Sequence, residues 1–458
     1  MKKILFCISV VTFFYSLPVQ AQKDGWVSLF DGKSFDGWKQ MGGVAKYAVE
    51  NGAIAGTTVP ATPNSFMVTE KEYGDFVLEL EVKLPDSNTN SGIQFRSHFN
   101  PDANDGKGRV YGYQYELDGS ARAWTAGIYD EGRRGWLYPL DLNPAAKKAF
   151  KQGAFNKVKI ECIGNTIKTW LNGVPAAYLV DEADARGFIA LQVHGIGKAG
   201  IPGKTILWKN IRIKTSGIKP SAFPKGIYVR NNVPNLLTDY EKSNGWKLLF
   251  NGKNSDGWRS TRTTSFPDHG WEIKDGILSV LSSHGNESAR GGDIITNDKY
   301  SAFDLSFDFR LTPGANSGVK YFVFLSNGNT GSALGLEYQV LDDKLHPDAK
   351  MGRDGNRTLA SLYDLITAHK PGNSIHAIGE WNTGRVIVYH NNHVEHYLNG
   401  QKVLEYERGS EAFRQLVAIS KYKAHKNFGE DKEGYILLQD HGDDVSFRSI
   451  KIKELVKN

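Results

Sequence analysis

The sequence contains one short element twice, 220 residues apart. Residues 25–38 (GWVSLFDGKSFDGW) return as residues 245–258 (GWKLLFNGKNSDGW). The repeat units of solenoids and propellers are only about 20–50 residues long, so this separation predicts two complete domains of one fold. Each domain is therefore a control for the other. Positions that keep their chemistry in both copies are candidates for shared structure or function, and positions that differ show where the copies have diverged.

Both copies are predicted to be rich in strand. Residues 76–82 (FVLELEV) and 303–309 (FDLSFDF) alternate in a way that is typical of antiparallel strands with one wet face. Asn-Gly or Asp-Gly pairs at residues 51–52, 172–173, 275–276 and 399–400 favour tight turns. Helical patterns are confined to residues 144–150 and 410–415. We therefore predict an all-β protein of two tandem sandwich or jelly-roll domains, residues 22–214 and 245–458, with a linker at 215–244 that packs against a domain.

The first 21 residues have the pattern of a cleaved signal peptide. Lys2 and Lys3 precede an apolar run at residues 4–17, and a small-residue cleavage site ends at Ala21. The run is too short to span a bilayer comfortably, and no other apolar stretch of the sequence is long enough. Cys7 lies inside the run, where the cysteine of a lipoprotein would not be. We expect a periplasmic or extracellular protein without a membrane span.

Cysteine count and charge narrow the class further. After cleavage only Cys162 would remain, so we expect no intramolecular disulfide. The formal net charge of +6 falls by two with the loss of Lys2 and Lys3, and the basic residues form no clustered stripe of the kind that nucleic-acid binding requires. Nucleic acid is therefore not an expected partner, and the oligomeric state is left open.

Several further motifs carry a family resemblance. Asn-Ser-Gly follows the opening element at residues 90–92 and 316–318, and the second copy adds EYQVLDD (337–343), HYLNG (396–400), LQDHG (438–442) and FRSIKI (447–452). In this order they resemble the 3-keto-disaccharide hydrolase domain family, once per copy over nearly the whole mature chain. The resemblance implies a concanavalin-like jelly roll of two antiparallel sheets. It also implies cleavage of glycosides that have been oxidised to a ketone at sugar carbon 3, with a carbohydrate substrate as the partner.

Polar side chains that share a strand face supply the candidate site of the first copy. Gln114, Glu116 and Asp118 alternate, so their side chains point the same way about 6.5 Å apart. Glu116 and His194 are the candidate catalytic bases. The residues expected to bind substrate are Gln94, Arg96, Gln114, Asp118 and Gln192, together with Trp124, Tyr129 and Arg134 from an aromatic loop at residues 122–140.

The second copy supplies a different set at the corresponding places. Glu337 and His441 are its candidate bases, and His441 shares the pattern Leu-Gln-x-His-Gly with His194. The acids are placed differently, because Glu337, Gln339 and Leu341 alternate here. The residues expected to bind substrate are Lys320, Gln339, Asp342, Tyr363, His396 and Gln439, with Lys421 and Lys423 as further contributors to a cleft.

The substrate that the resemblance implies suggests a mechanism. A ketone at carbon 3 acidifies the proton on carbon 2, so a base can form an enolate and the group on carbon 1 can leave by β-elimination, after which water can add. Arg96 and Lys320 are the candidates to stabilise the developing oxyanion. A divalent metal ion on carboxylate and imidazole ligands is an alternative polarising group, although the sequence has no close-set ligand motif. Direct hydrolysis by two carboxylates also stays open.

Two other interpretations compete with an enzyme. The same faces could bind glycans without cleaving them, or one copy could catalyse and the other bind. Alternating polar residues are often only the solvated face of a strand, and a lone histidine is more often structural than catalytic. A structural role is favoured for the tryptophans that flank the repeated element, Trp26, Trp38, Trp246 and Trp258.

Overall fold

The computed structural model describes residues 24–106, 108–286, 291–372 and 374–457. The predicted signal peptide lies outside the described residues. No helix within the described ranges is long and apolar enough to cross a membrane.

The first domain consists of two antiparallel sheets packed on one core. One sheet has the order β13-β12-β11-β6-β15-β4-β3 with β1 added on β15, and the other has the order β10-β9-β8-β7-β14-β5-β2. A short helix, α1, spans Ala103–Gly106. The strands are β1 Trp26–Ser28, β2 Trp38–Gly42, β3 Lys46–Glu50, β4 Ala53–Thr57, β5 Ser65–Tyr73, β6 Phe76–Lys83, β7 Asn90–Asn100, β8 Arg109–Asp118, β9 Ile128–Glu131, β10 Gly135–Tyr138, β11 Asn156–Ile163, β12 Thr166–Leu171, β13 Val174–Val180, β14 Gly187–Val193 and β15 Thr205–Lys214.

The second domain repeats this architecture. An eight-stranded sheet has the order β19-β20-β29-β22-β25-β26-β27 with β17 added on β29, and a five-stranded sheet has the order β18-β21-β28-β23-β24. Two helices, α2 and α3, span Asp239–Ser243 and Glu411–Ala418. With β16 Arg230–Asn231 in the connecting segment, the remaining strands are β17 Trp246–Leu248, β18 Trp258–Ser260, β19 Trp271–Lys274, β20 Ile277–Val280, β21 Ile294–Tyr300, β22 Phe303–Leu311, β23 Asn316–Leu325, β24 Ala333–Leu341, β25 Asn382–Val388, β26 His393–Leu398, β27 Gln401–Glu407, β28 Gly434–Leu438 and β29 Val445–Glu454.

The alternating pattern that predicted strands also fills the two cores. Phe76, Leu78, Leu80 and Val82 of β6 are buried in the core of the first domain. The apolar residues of β22 at positions 303–309 are buried in the core of the second. Full burial of such a side chain contributes about 1.5–3 kcal/mol, which is what holds the paired sheets together. The prediction of an all-β protein with two sandwich halves is confirmed.

The repeated element is a structural corner in both domains. Trp38 and Trp258 are buried, and each indole Nε1 donates a hydrogen bond of 2.6 Å to the carbonyl oxygen nine residues earlier, Leu29 in one domain and Leu249 in the other. Buried tryptophan generally needs such a partner. The element therefore joins the start of each domain to its first sheet strands.

The connecting segment, residues 215–244, packs on the first domain. Its strand β16 pairs in parallel with β13, extending that sheet to nine strands. Tyr178 of β13 contacts Phe223 and Tyr240 of the segment with ring centroids 5.3 and 5.0 Å apart. Helix α2 begins with a capping box in which Thr238 and Glu241 satisfy each other's backbone N–H groups.

The same segment also fastens the two domains to each other. The Tyr228 hydroxyl lies 3.0 Å from Ser306 Oγ, and the Arg385 guanidinium carbon lies 4.0 Å from the centre of its ring. Glu241 forms a buried ion pair with Lys451, 2.6 Å from oxygen to nitrogen. The domains therefore meet through packed aromatic and charged groups contributed by the segment between them.

Candidate active site

Each domain has a polar surface on the outer face of its smaller sheet. Along β8 the side chains of Tyr113, Tyr115 and Leu117 lie in the core, so the alternate residues point away from it. We call the resulting groups the first polar face, Gln94, Gln114, Glu116 and Gln192, and the second polar face, Lys320, Glu337, Gln339 and Gln439. All eight residues were predicted as site residues, and the structure brings each set of four together on adjacent strands.

Strand register shows how the two faces correspond. Gln94 lies opposite Gln114 on β7 and β8, and Lys320 lies opposite Glu337 on β23 and β24. One row further, Glu116 lies opposite Gly92. In the second domain Gln339 lies opposite Gly318 in the same way. The glutamate therefore occupies different rows in the two domains.

The glycine in each motif Asn-Ser-Gly makes room for the residue of the next row. A Cβ added to Gly92 would lie 2.3 Å from Gln114 Cδ, and one added to Gly318 would lie 2.3 Å from Glu337 Oε1. Both approaches are too close for any side chain, so glycine is required for the neighbouring polar group to lie across the strand. This explains why the motif occurs in both copies.

An ion pair bridged by an amide forms the centre of the second polar face. Lys320 Nζ lies 3.8 Å from Glu337 Oε2, and the side chains are 13% and 4% exposed. Oriented to satisfy both neighbours, the Gln439 amide donates to Glu337 Oε1 over 3.2 Å and accepts from Lys320 Nζ over 3.1 Å. A charged pair with this much burial is stable only when further hydrogen bonds satisfy it, and Gln439 supplies them.

A wall of charged and aromatic groups stands beside this pair. Lys421 Nζ lies 4.1 Å from the centre of the Tyr363 ring, and the Tyr363 hydroxyl donates to Asp348 over 2.8 Å. Arg357 pairs with Asp348 at 2.8 Å and with Asp364 at 2.7 Å, which fixes the wall.

The surroundings lower the pKa of Lys421 and raise the pKa of Tyr363. Lys421 is reached by solvent, yet desolvation by the cleft around it lowers the pKa of its ammonium, with Glu337 opposing the shift and Lys320 adding to it. Burial, and then the hydrogen bond to Asp348, raises the pKa of Tyr363, so its hydroxyl stays protonated. Perturbed groups gathered in one cleft are typical of functional sites.

Two aspartates support the face from behind. Asp293 Oδ1 accepts from the backbone N–H of Asp440 over 2.9 Å, and Asp440 in turn accepts from the N–H groups of Gly292 and Gly442. Burial raises the pKa of Asp293, with Lys320 as the largest opposing influence. Asp293 therefore belongs to the electrostatic surroundings of Lys320. Sequence reasoning missed it, because it precedes β21 without any motif.

The first polar face is a chain of amides that ends on a carboxylate. Gln94 donates to Gln114 over 2.6 Å, and Gln114 donates to Glu116 Oε2 over 2.9 Å. Asn90 donates to Glu116 Oε1 over 2.7 Å, and the nearest cation, on Arg122, is 3.5 Å away. Burial raises the pKa of Glu116 to about 7, and the hydrogen bonds from Asn90 and Gln114 limit the shift. Glu116 is thus able to take up and release a proton near neutral pH.

Arg122 packs over two tryptophan rings of the aromatic loop of the first domain. The Arg122 guanidinium carbon lies 4.6 and 5.0 Å from the ring centres of Trp124 and Trp136, and Arg122 also bonds Asp118 at 2.8 Å. Both tryptophans are buried, so Trp124 does not offer a free ring to a sugar, contrary to our prediction. Tyr129 is partly exposed and contacts the Trp136 ring edge at 5.1 Å.

Two predicted arginines serve other parts of the structure. Arg96 adopts φ +45° at a bulge in β7, is 1% exposed, and bonds Gly74 O, Gly164 O and the Asp75 carboxylate. The bulge turns its side chain toward the sandwich edge, so it does not stabilise an oxyanion on the polar face. Arg134 pairs with Asp130 and Asp181 in a separate ion cluster.

Several predicted residues of the remaining set also lie elsewhere. His396 is fully buried between the sheets, where Tyr321 and the Ala360 carbonyl hold its ring and burial lowers its pKa to about 4. Asp342 accepts from the backbone N–H groups of Gly314, Lys344 and Leu345, so it orders a turn. His194 lies exposed beyond the end of β14, with Nδ1 2.8 Å from Gly195 O, and has no hydrogen bond to Glu116 among the described residues.

His441 keeps a place near the second polar face. It follows Gln439 by two residues and is partly buried. It lies in the electrostatic surroundings of His346, together with Asp443 and Asp348, and burial lowers the pKa of His346. His441 and Asp348 are therefore both close to His346.

The possible metal-ligand set among the described residues lies away from the cleft. Among the described residues, the one group of three histidine, cysteine, aspartate or glutamate side chains with ligand atoms within 4.8 Å of one another is His393, Glu395 and Glu405. It lies on β26 and β27 of the other sheet. The Lys402 ammonium pairs with both carboxylates, at 3.2 and 2.5 Å, and so occupies the place of a cation.

Comparison with known proteins agrees with the doubled architecture. The model of the 3-keto-α-glucoside-1,2-lyase-like domain matches residues 25–214 and again residues 245–453. The chain belongs to this family. It therefore belongs among the enzymes that cleave glycosidic bonds.

Individual relatives cover one of the two domains. The 3-keto-disaccharide hydrolase of Bacteroides thetaiotaomicron is 37% identical over an alignment of 234 positions, and the match covers 46% of this chain and 79% of that protein. Two crystal structures from Parabacteroides distasonis, provisionally described as glycosyl hydrolases, are 29% and 27% identical with TM-scores of 0.42 and 0.36. They cover 49% and 46% of this chain, and 100% and 99% of their own chains are matched.

Proposed function

We propose that the second domain cleaves glycosides carrying a ketone at sugar carbon 3 and that the second polar face is its active site. The observation that carries this proposal is the Glu337 carboxylate, which pairs with Lys320 at 3.8 Å and lies close enough to Lys421 to oppose the lowering of that lysine's pKa. Elimination next to a ketone needs a base and a cation together, and this face supplies both. The name of the relative from Bacteroides thetaiotaomicron supports the choice of substrate class.

The chemistry proceeds in three steps with these residues. The Glu337 carboxylate removes the proton from carbon 2, and the Lys320 ammonium stabilises the negative charge that develops on the oxygen of carbon 3. The electron pair then moves to form a double bond between carbons 1 and 2 as the bond from carbon 1 to the leaving oxygen breaks. The Lys421 ammonium gives a proton to that oxygen, and water adds to carbon 1 afterwards.

We also propose that the protein is exported from the cytoplasm. The pattern of Lys2, Lys3, the apolar run at 4–17 and Ala21 supports a cleaved signal peptide and a periplasmic or extracellular location. Sequencing the N-terminus of protein recovered outside the cytoplasm tests this. We expect it to begin at Gln22, and an N-terminus that still carries Lys2 and Lys3 would contradict export by cleavage.

The decisive experiment follows release of the aglycone from a 3-keto-glucoside in deuterated water. We expect wild-type protein to release it and to exchange the proton on carbon 2 for deuterium, whereas Glu337→Gln does neither. Glu405→Gln is the matched control, because that carboxylate lies on the opposite sheet. Release without any deuterium on carbon 2 would favour direct two-carboxylate hydrolysis and overturn the elimination steps. No release by wild-type protein would overturn the activity itself.

A further inference from the structure

The first polar face contains a buried amide that nothing in the described structure satisfies. Gln192 is fully buried, and neither its side-chain nitrogen nor its oxygen has a hydrogen-bond partner among the described residues. An unpaired buried amide is costly, so its retention needs an explanation such as a missing ligand. Gln192 points to the outer face of the sheet, because its neighbours Leu191 and Val193 fill the core.

The second domain shows what changed around this amide. Gln439, the equivalent residue, bonds both Lys320 and Glu337. In the first domain those two positions are Gln94 and Gln114, which bond each other at 2.6 Å. The Ser97 hydroxyl donates a further hydrogen bond to Gln94 Oε1 over 2.9 Å. With two amides in place of the ion pair, Gln94 and Gln114 pair with each other, and the Gln192 amide has no hydrogen-bond partner among the described residues.

The charged and polar groups of the first polar face indicate which kind of ligand it could bind. Its four residues include no lysine or arginine, and the nearby Arg122 is held by Asp118 at 2.8 Å and by two tryptophan rings. The cation beside Glu116 is therefore committed to other partners, and the face lacks a lysine like Lys320 to stabilise an enolate. Amides and one carboxyl group are instead suited to the hydroxyl groups of an uncharged sugar.

A cavity lies on the same outer face, one strand away from Gln192. Gln192 is opposite Phe66 across β14 and β5, and Phe66 lines a cavity of about 380 Å³ on the same outer face. Asn64, Arg109 and Glu131 supply polar groups to its lining. This volume lies within the range of small-molecule sites.

We propose that the first polar face is a separate site that binds a neutral polyhydroxylated ligand, a sugar, through the Gln192 amide and does not cleave it. The proposal goes beyond the activity of the second domain and does not depend on it. The two faces then have distinct tasks: one holds sugar hydroxyls and the other performs chemistry on a ketone.

Calorimetric titration of the full chain with glucose, maltose and cellobiose tests the proposal. We expect saturable binding of at least one of these sugars, and at least a tenfold weaker Kd for Gln192→Ala. Gln401→Ala is the matched control, because it removes a buried amide from β27, which belongs to the other sheet of the second domain, and should leave the Kd unchanged. Absence of saturable binding to all three sugars at millimolar concentration, or an unchanged Kd for Gln192→Ala, would overturn the proposal.

A second variant covers the case in which alanine prevents folding. Gln192→Leu fills the same volume without an unpaired amide, so we expect a folded protein with a higher melting temperature and no sugar binding. Sugar binding by Gln192→Leu equal to that of the wild type would contradict the assignment. These titrations do not measure catalysis, so an inactive second domain with intact sugar binding would overturn the proposed function alone.

Discussion

The two polar faces lie on the same scaffold and differ in where they carry charge. In the first domain, Gln94, Gln114 and Asn90 form a network of amides around Glu116, and the nearest cation, on Arg122, lies 3.5 Å away and also pairs with Asp118. In the second, Lys320 and Glu337 form an ion pair one row away. The shared glycine motif makes either arrangement possible, because it leaves room for a long side chain at the same place. Differences at three corresponding positions, Gln94/Lys320, Gln114/Glu337 and Glu116/Gln339, are thus enough to move the carboxylate from one row to the next and to add an ion pair on a kept sheet.

The largest expected effect comes from Glu337→Gln. Removing the proposed base should lower the rate of aglycone release by about 10²–10⁴-fold, the usual contribution of a positioned base. Steady-state release from a 3-keto-glucoside measures it, with circular dichroism as a check on folding. A larger loss of rate in Glu116→Gln would contradict the assignment of catalysis to the second domain.

A second variant imports the residue of the first domain into the second. Lys320→Gln places the amide of Gln94 opposite Glu337 and removes the cation, which should lower kcat by about 10²–10³-fold, as losing one oxyanion donor does. KM is expected to change much less, because the cation acts mainly on the transition state. An unchanged kcat would remove Lys320 from the mechanism and leave Lys421 as the only cation of the pair.

Glu116 of the first domain should make the free energy of unfolding depend on pH. Because the folded-state pKa of Glu116 is raised to about 7, its stabilising contribution is fully present below its unfolded pKa of about 4.5 and is lost as pH rises through 7. The loss amounts to about 3 kcal/mol at most. Denaturant unfolding from pH 4 to 8 should show this decline in the wild type. The decline should be smaller in Glu116→Gln, and parallel curves would contradict the raised pKa.

The smallest expected effect concerns the pH dependence that Lys421 contributes. The pKa of Lys421 is lowered, so a lysine that donates a proton loses its rate contribution as pH rises through a value below the usual range. Lys421→Arg keeps the positive charge but is too weak an acid to give up its proton, so it should lower kcat and remove this alkaline limb. A pH profile of kcat measures the loss of the limb. An unmoved limb would assign that limb to another group.

The doubled all-β architecture could be predicted from the sequence because strand alternation depends on local pattern. Residues 76–82 and 303–309 became core strands with the expected faces. The same rule correctly placed Glu116, Glu337 and Gln439 on outer faces. Local pattern and surface chemistry agree wherever a strand is regular.

The rule failed where strand geometry changes. Arg96 follows the face of Gln94 by count, but the bulge beside it gives positive φ and turns the side chain away. Phe322 has the same conformation in the second domain, so the bulge belongs to the fold. His396 lies on a strand of the other sheet, and sequence alternation cannot say which of two sheets a strand joins. Loop residues such as Arg357 and Asp348 reach the cleft through tertiary contacts that no local pattern encodes.

The strand in the connecting segment sets where the first domain can be cut. A chain ending at residue 214 would lack β16, which leaves the backbone of β13 as an open sheet edge. It would also uncover Tyr178 and Val180, which pack with Val229 of the segment. Open edges beside exposed apolar side chains recruit other chains and promote aggregation. A soluble fragment of the first domain therefore needs the strand that follows its own sheets, even though that strand lies outside the repeated unit.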